Sequence, residues 1–183
     1  MNFIEYTEKI LHEASNKKKL VIAPEYHPIN CLSICGEDIV TWCENYRKTA
    51  IHETSYLFDL VLCSRVLEHI PIRQIDWYLL ELYNIMKEGA TFVCVVPDMC
   101  RAVELMEQEL ARDNGPRDFV FNRINYELFS EGDDIRDRHA TWTSKASMKH
   151  LLERENLFRI DSIESVYIGD LRFPQLEVRA SRI

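Results

Sequence analysis

Two short runs dominate what this chain can become. Leu60-Val-Leu-Cys63 and Thr91-Phe-Val-Cys-Val-Val96 carry no charge and show no alternation of apolar with polar residues. A strand with one face in water alternates; a strand without alternation is covered on both faces. Between the two runs, Pro71 opens a segment in which Ile75, Leu79, Leu82, Tyr83 and Met86 recur at helical spacing. Gly89 follows where a left-handed helix cap belongs, and Pro97 stops the second run. Buried strand, helix, buried strand requires a parallel crossover. The fold class is therefore α/β, a doubly wound and mostly parallel sheet with helices on both faces.

The rest of the chain extends this pattern. Phe3, Ile4, Tyr6, Ile10 and Leu11 predict a helix over residues 3–14, and Lys19 to Ala23 and Ile29 to Cys35 predict short strands. Residues 39–56 are poorly patterned and read as a short helix and a loop around a third strand near Ala50. Met99 to Arg112 and Phe119 to Phe129 predict helices, and Ser130 to His139 a charged loop. Thr143 or Ser144 caps a helix to about Glu155 that packs through Met148, Leu151 and Leu152. Phe158 to Tyr167 and Gln175 to Ala180 predict an antiparallel closing pair. Trp77 and Tyr78 are adjacent on one helix and cannot share its core face, so one of them is expected outside, a hint of homo-oligomer formation.

At 183 residues the chain suits a single domain. Residues 1–18 form its N-terminal helix, 19–100 one half of the sheet, and 101–183 the other half with the closing hairpin. A net charge of −8 disfavours a nucleic-acid partner, which needs Lys and Arg against phosphate. No run reaches membrane-spanning length, so no membrane partner is expected. The first residues lack a signal-peptide pattern, so the expected location is cytoplasmic. The six cysteines contain no C-x-x-C pair and read as buried, reduced thiols. Cys31, Cys35 and Cys43 with His27 do not meet structural zinc spacings, so no metal is expected.

Several segments together resemble the class I S-adenosylmethionine-dependent methyltransferases, from about Lys19 to the end. Phe58-Asp59 enters what would be the fourth strand, and Val66-Leu-Glu-His69 follows it. Met86-Lys-Glu-Gly89 is similar to the family's Leu-Lys-Pro-Gly-Gly turn, and Ala140-Thr-Trp-Thr-Ser144 to its entry into the last helix. The family's glycine-rich loop has no counterpart, because Val21-Ile-Ala-Pro-Glu-Tyr-His27 stands in its place and no glycine precedes Gly36.

The resemblance implies S-adenosylmethionine as cofactor and a Rossmann-like cleft at the carboxyl ends of the strands. It places Ala23 and Glu25 after the first strand, the latter against the cofactor's ammonium. Glu37 or Asp38 would accept the ribose hydroxyls, His52 or Glu53 would meet adenine, and Cys63, Ser64 and Arg65 would line the cleft. His69 with Glu68 beside it is a candidate base for an acceptor proton, and the alternative is that both shape the entry to the next helix. His139 and Asp98 are further candidates near the mouth, and Trp142 is expected either to wall a pocket or to pack into core or lid. The implied activity is methyl transfer to a small-molecule or sugar-like acceptor. The alternative is an inactive pseudo-methyltransferase, a binding or scaffolding module for a protein partner.

Overall fold

The computed structural model describes residues 2–23, 32–34, 57–112, 115, 117, 122, 124, 139–168 and 173–183. Helix α1 (Phe3–Glu13) leads into strands β1 (Lys19–Ile22), β2 (Leu32–Ile34) and β3 (Phe58–Ser64). A 3₁₀ turn (Leu67–His69) precedes α2 (Ile72–Asn84), β4 (Met86–Pro97) and α3 (Met99–Leu110). After α4 (Lys145–Glu153), strands β5 (Phe158–Tyr167) and β6 (Pro174–Arg182) complete one sheet in the order β2-β1-β3-β4-β6-β5. The first four strands run parallel, and β6 inserts antiparallel between β4 and β5. The parallel sheet expected from the runs at Leu60 and Thr91 is present, as is the antiparallel closing pair expected from Phe158 to Tyr167 and Gln175 to Ala180.

Each strand sends alternate residues to opposite faces. On one face Leu20, Ile22, Val61, Cys63, Phe92, Cys94 and Val178 form a core with Ile75, Tyr78 and Leu82 of α2 and Met148, Leu151 and Leu152 of α4. On the other, Val21, Leu60, Leu62, Val93 and Val95 pack against Tyr6, Ile10 and Leu11 of α1. Both faces of β3 and β4 are thus covered, which is why their sequences do not alternate.

The helices start where their caps dictate. The Asn2 side chain accepts from the Glu5 N–H at 2.8 Å while the Asn2 N–H donates to the Glu5 carboxylate at 2.9 Å. Ser144 and Ser147 make the same reciprocal pair at the head of α4. Asp98 caps α3 by accepting from the Arg101 N–H at 3.2 Å. Each such cap contributes about 1 kcal/mol.

Four expectations need correction. Met86 is not on α2 but opens β4. Gly89 does not cap α2, which ends at Asn84; its φ of +70° lies within β4. The register explains it: Phe58 pairs with Met86 but Leu60 with Thr91, so β4 carries extra residues opposite Asp59, and glycine takes the reversed backbone of that bulge. Trp142 is 52% exposed rather than packed in core or lid, because Thr141 and Thr143 on either side of it turn inward. Cys100 is exposed rather than buried; it follows Met99, which takes the inward position of the first turn. Trp77 and Tyr78 split as expected, Tyr78 buried and Trp77 on the surface. The strand near Ala50, the loop from Ser130 to Arg138 and most of the segment from Phe119 to Phe129 lie outside the described residues. Among the described residues, no helix is long and apolar enough to cross a membrane.

Glu109, near the end of α3, accepts from the Arg117 N–H at 3.0 Å and pairs with its guanidinium. These contacts hold its carboxyl down at about 2. A depressed carboxyl stabilises the fold above its unfolded value near 4.5, and that contribution is lost as pH falls through about 2. Glu109→Gln is therefore expected to lower the urea midpoint at pH 7, with the gap to wild type closing toward pH 2 to 3. A gap of equal size at both pH values would overturn this.

Candidate functional site

Strands β2 and β3 flank β1 on opposite sides, so the direction of winding reverses between β1 and β3. Open α/β sheets bind ligands in the crevice that this reversal leaves at the strands' carboxyl ends. Ser64, the last residue of β3, lies at that end of the sheet and is only 1% exposed, as is Ala23 just beyond β1, which packs into the α1 side of the core. The Ser64 hydroxyl is buried and has no hydrogen-bond partner among the described residues. Cys63 is not with them: its sulfur lies 3.4 Å from the Tyr78 hydroxyl, inside the α2 face of the core.

Arg65 turns the chain at this edge. Its φ of 58° is in the left-handed region, which costs a non-glycine residue about 1–2 kcal/mol. Two bonds hold it there. Its N–H donates to the Val95 carbonyl at 2.8 Å, and its Nε donates to Glu68 Oε1 at 3.0 Å.

The reversal lays the Leu67–His69 turn across the carboxyl edge of the sheet and drives Glu68 inward. Burial pushes the Glu68 carboxyl up, and the neighbouring Arg65 and His69 only partly offset this. The Glu68 side chain is fully buried, and its Oε2 has no hydrogen-bond partner among the described residues.

A second segment closes on the turn from far along the chain. The Glu68 carbonyl accepts from the Ala140 N–H at 2.7 Å and the Thr141 N–H at 3.0 Å. The Thr141 hydroxyl donates to the Ile70 carbonyl at 2.6 Å, and the Thr143 hydroxyl to the Pro97 carbonyl at 2.6 Å. The sequence offered Thr143 only as one of two candidate caps and Thr141 only as part of the motif before the helix; their spacing of two in an extended segment is the signal that both hydroxyls share one face. The docking places the His139 ring edge-on to His69, with centroids 5.1 Å apart. One polar side-chain atom from each of Glu68, His69 and His139 then lies within 4.8 Å of the others. Three of the four residues singled out for acceptor chemistry meet there.

Asp98 stands apart in a structural role, capping α3 and accepting from the Ser165 hydroxyl at 2.8 Å. It borders an open depression of about 350 Å³ with Arg101 and Lys145. Glu25, Glu37, Asp38, His52 and Glu53 lie outside the described residues.

No protein-family model matches this sequence, and no curated protein matches it. Solved structures do match in fold. A SAM-dependent methyltransferase from Methanosarcina mazei superposes with a TM-score of 0.57 at 14% identity, over 95% of this chain and 97% of that one. The N-methyltransferase NodS from Bradyrhizobium japonicum gives 0.52 at 12% identity, over 97% and 94%. Magnesium protoporphyrin IX methyltransferase from Synechocystis, solved with bound S-adenosylhomocysteine, gives 0.53 at 11%, over 98% and 82%. The chain has the class I methyltransferase fold. The methyltransferase neighbours act on varied substrates.

The described part of this methyltransferase-type crevice suits the family's cofactor. Ser64 offers a hydroxyl whose hydrogen-bonding capacity is unspent. A buried hydroxyl without a partner costs about 1–3 kcal/mol, which a polar ligand group would relieve.

Proposed function

We propose that this protein is a methyltransferase that uses S-adenosylmethionine to methylate a small-molecule or sugar-like acceptor. The observation that carries this reading is the orphaned Ser64 hydroxyl at the carboxyl end of β3, where the winding reverses between β1 and β3. When bound there, the cofactor supplies an electrophilic methyl group on a sulfonium. The chain's own task is then to hold the acceptor in line with it. Ser64 would hydrogen-bond the cofactor, and Glu25 would neutralise its ammonium. Glu37 or Asp38 would take the ribose hydroxyls, and His52 or Glu53 would meet the adenine. Glu68, His69 and His139, at the same edge of the sheet, handle the proton that an acceptor hydroxyl or amine must lose.

A second reading rests on a specific observation: no glycine precedes Gly36, so the first loop lacks the residues that let a backbone approach the cofactor closely. On that reading the fold serves as a cytoplasmic binding module, and Trp77 and Leu80, exposed on α2, would meet a protein partner or a second copy.

Calorimetric titration of the whole chain with S-adenosylhomocysteine separates the two. Micromolar binding is the expected result. Ser64→Ala should leave the ligand-free protein as stable as wild type or about 1 kcal/mol more so, because it removes an unpartnered buried hydroxyl. The same change should weaken S-adenosylhomocysteine by up to about tenfold, the worth of one neutral hydrogen bond. No heat of binding up to millimolar ligand, from protein with a cooperative unfolding transition, would sink the methyltransferase reading and leave the binding module.

A further inference from the structure

We propose that Glu68, His69 and His139 form a binding site for a divalent first-row transition ion of the zinc class. Two imidazoles and one carboxylate are a donor set such ions accept, and three protein ligands leave at least one position open. The candidate donor atoms lie within 4.8 Å of one another. Around a tetrahedral ion with bonds near 2.1 Å the donors stand about 3.4 Å apart, so closure asks for roughly 1 Å of side-chain rotation. The backbone is already fixed for it. The Glu68 carbonyl ties down the N–H groups of Ala140 and Thr141, and the Thr141 hydroxyl bonds the Ile70 carbonyl.

An independent observation is the state of the Glu68 carboxylate. It is wholly buried, Arg65 occupies Oε1, and Oε2 has no hydrogen-bond partner among the described residues. A bare carboxylate oxygen in the interior is costly, and a cation relieves that cost. Arg65 has a further effect on which ion is held. Its guanidinium offsets the one negative charge of the set, leaving two imidazoles as the main donors. Magnesium and calcium need several hard oxygens, whereas zinc and cobalt take imidazole readily. The spacing of cysteines in the sequence pointed to no metal; this site uses none of them. If the methyltransferase reading holds, and only then, the open position would accept an acceptor oxygen and lower its pKa. That is how the proton would be made easy to lose.

The test uses the full chain, reduced, stripped with chelator and free of S-adenosyl compounds, titrated with cobalt(II) alone. One equivalent should bind, with visible ligand-field bands and no thiolate-to-metal charge-transfer band. The missing charge-transfer band distinguishes this site from one built on Cys31, Cys35 and Cys43. Zinc(II) should then displace the cobalt. His139→Ala and, separately, His69→Gln should each weaken binding by at least about tenfold. His12→Ala, on the exposed side of α1, should leave it unchanged. Absence of binding below millimolar cobalt, a thiolate band at one equivalent, or unchanged affinity in a folded histidine variant would each overturn the proposal. Because no cofactor is present, none of these outcomes depends on the S-adenosylhomocysteine titration.

Discussion

Arg65→Gly should destabilise the protein by about 2–3 kcal/mol, although it removes a strained backbone. Two effects oppose each other. Glycine adopts the 58° φ of this position freely, which recovers the roughly 1–2 kcal/mol that a side chain pays there. The same change deletes the guanidinium that faces Glu68 at 3.0 Å. Glu68 has no exposure to water, and removing one partner of a buried ion pair typically costs 3–5 kcal/mol. The loss of the partner therefore wins. Urea unfolding in the presence of chelator, at neutral pH, measures the net effect. Combining Arg65→Gly with Glu68→Gln should recover most of the loss, because the amide carries no charge to strand. A single variant as stable as wild type would mean that the pair contributes nothing and that the backbone alone sets the energy of this turn.

Phe158→Ala carries the other large effect, a loss of about 3–5 kcal/mol. Among the described residues β5 is the edge strand of the sheet and pairs only with β6. Of its ten residues, Phe158 alone is fully buried. Its ring lies 5.3 Å from that of Phe92 on β4 and 6.0 Å, edge-on, from that of Tyr83 on α2. One side chain thus joins the closing hairpin to the parallel half of the sheet and to a covering helix. The expected loss is a large part of the 5–15 kcal/mol by which domains of this size are usually stable. Phe158→Leu, which keeps most of the apolar volume, should cost under about 1.5 kcal/mol. Denaturant midpoints for the two variants decide it, and an alanine variant that loses less than about 1.5 kcal/mol would show that the hairpin is held mainly by its backbone ladder.

The sheet and its helices were legible in the sequence wherever one-dimensional periodicity carries the information. Unbroken apolar runs at Leu60–Cys63 and Thr91–Val96 gave central strands covered on both faces, and the 3.6-residue spacing through Ile75, Leu79 and Leu82 gave the helix between them. A cap at Thr143 or Ser144 was legible because capping is local chemistry, complete within three residues, and the structure gives it to Ser144. Periodicity failed at Gly89: a glycine after a helical run signals a cap, but here the bulge forced by pairing with Asp59 and Leu60 of another strand claimed it. It failed again at Trp142, where hydrophobicity predicts burial but the inward turn of both flanking threonines leaves the indole outside.

The candidate site divides the same way. The sequence alone put Ser64, Arg65, Glu68 and His69 at the carboxyl end of a buried strand, since that follows from where the strand stops. It named His139 as a further candidate, with no means of saying what His139 would meet. Only the tertiary structure brought that ring to His69, through two hydrogen bonds to the Glu68 carbonyl from residues some seventy positions away. Only the tertiary structure buried the Glu68 carboxylate as well. Burial of a charged side chain against its own hydrophilicity depends on the reversal at Arg65 and on the segment docked above it, and neither leaves a trace in local composition.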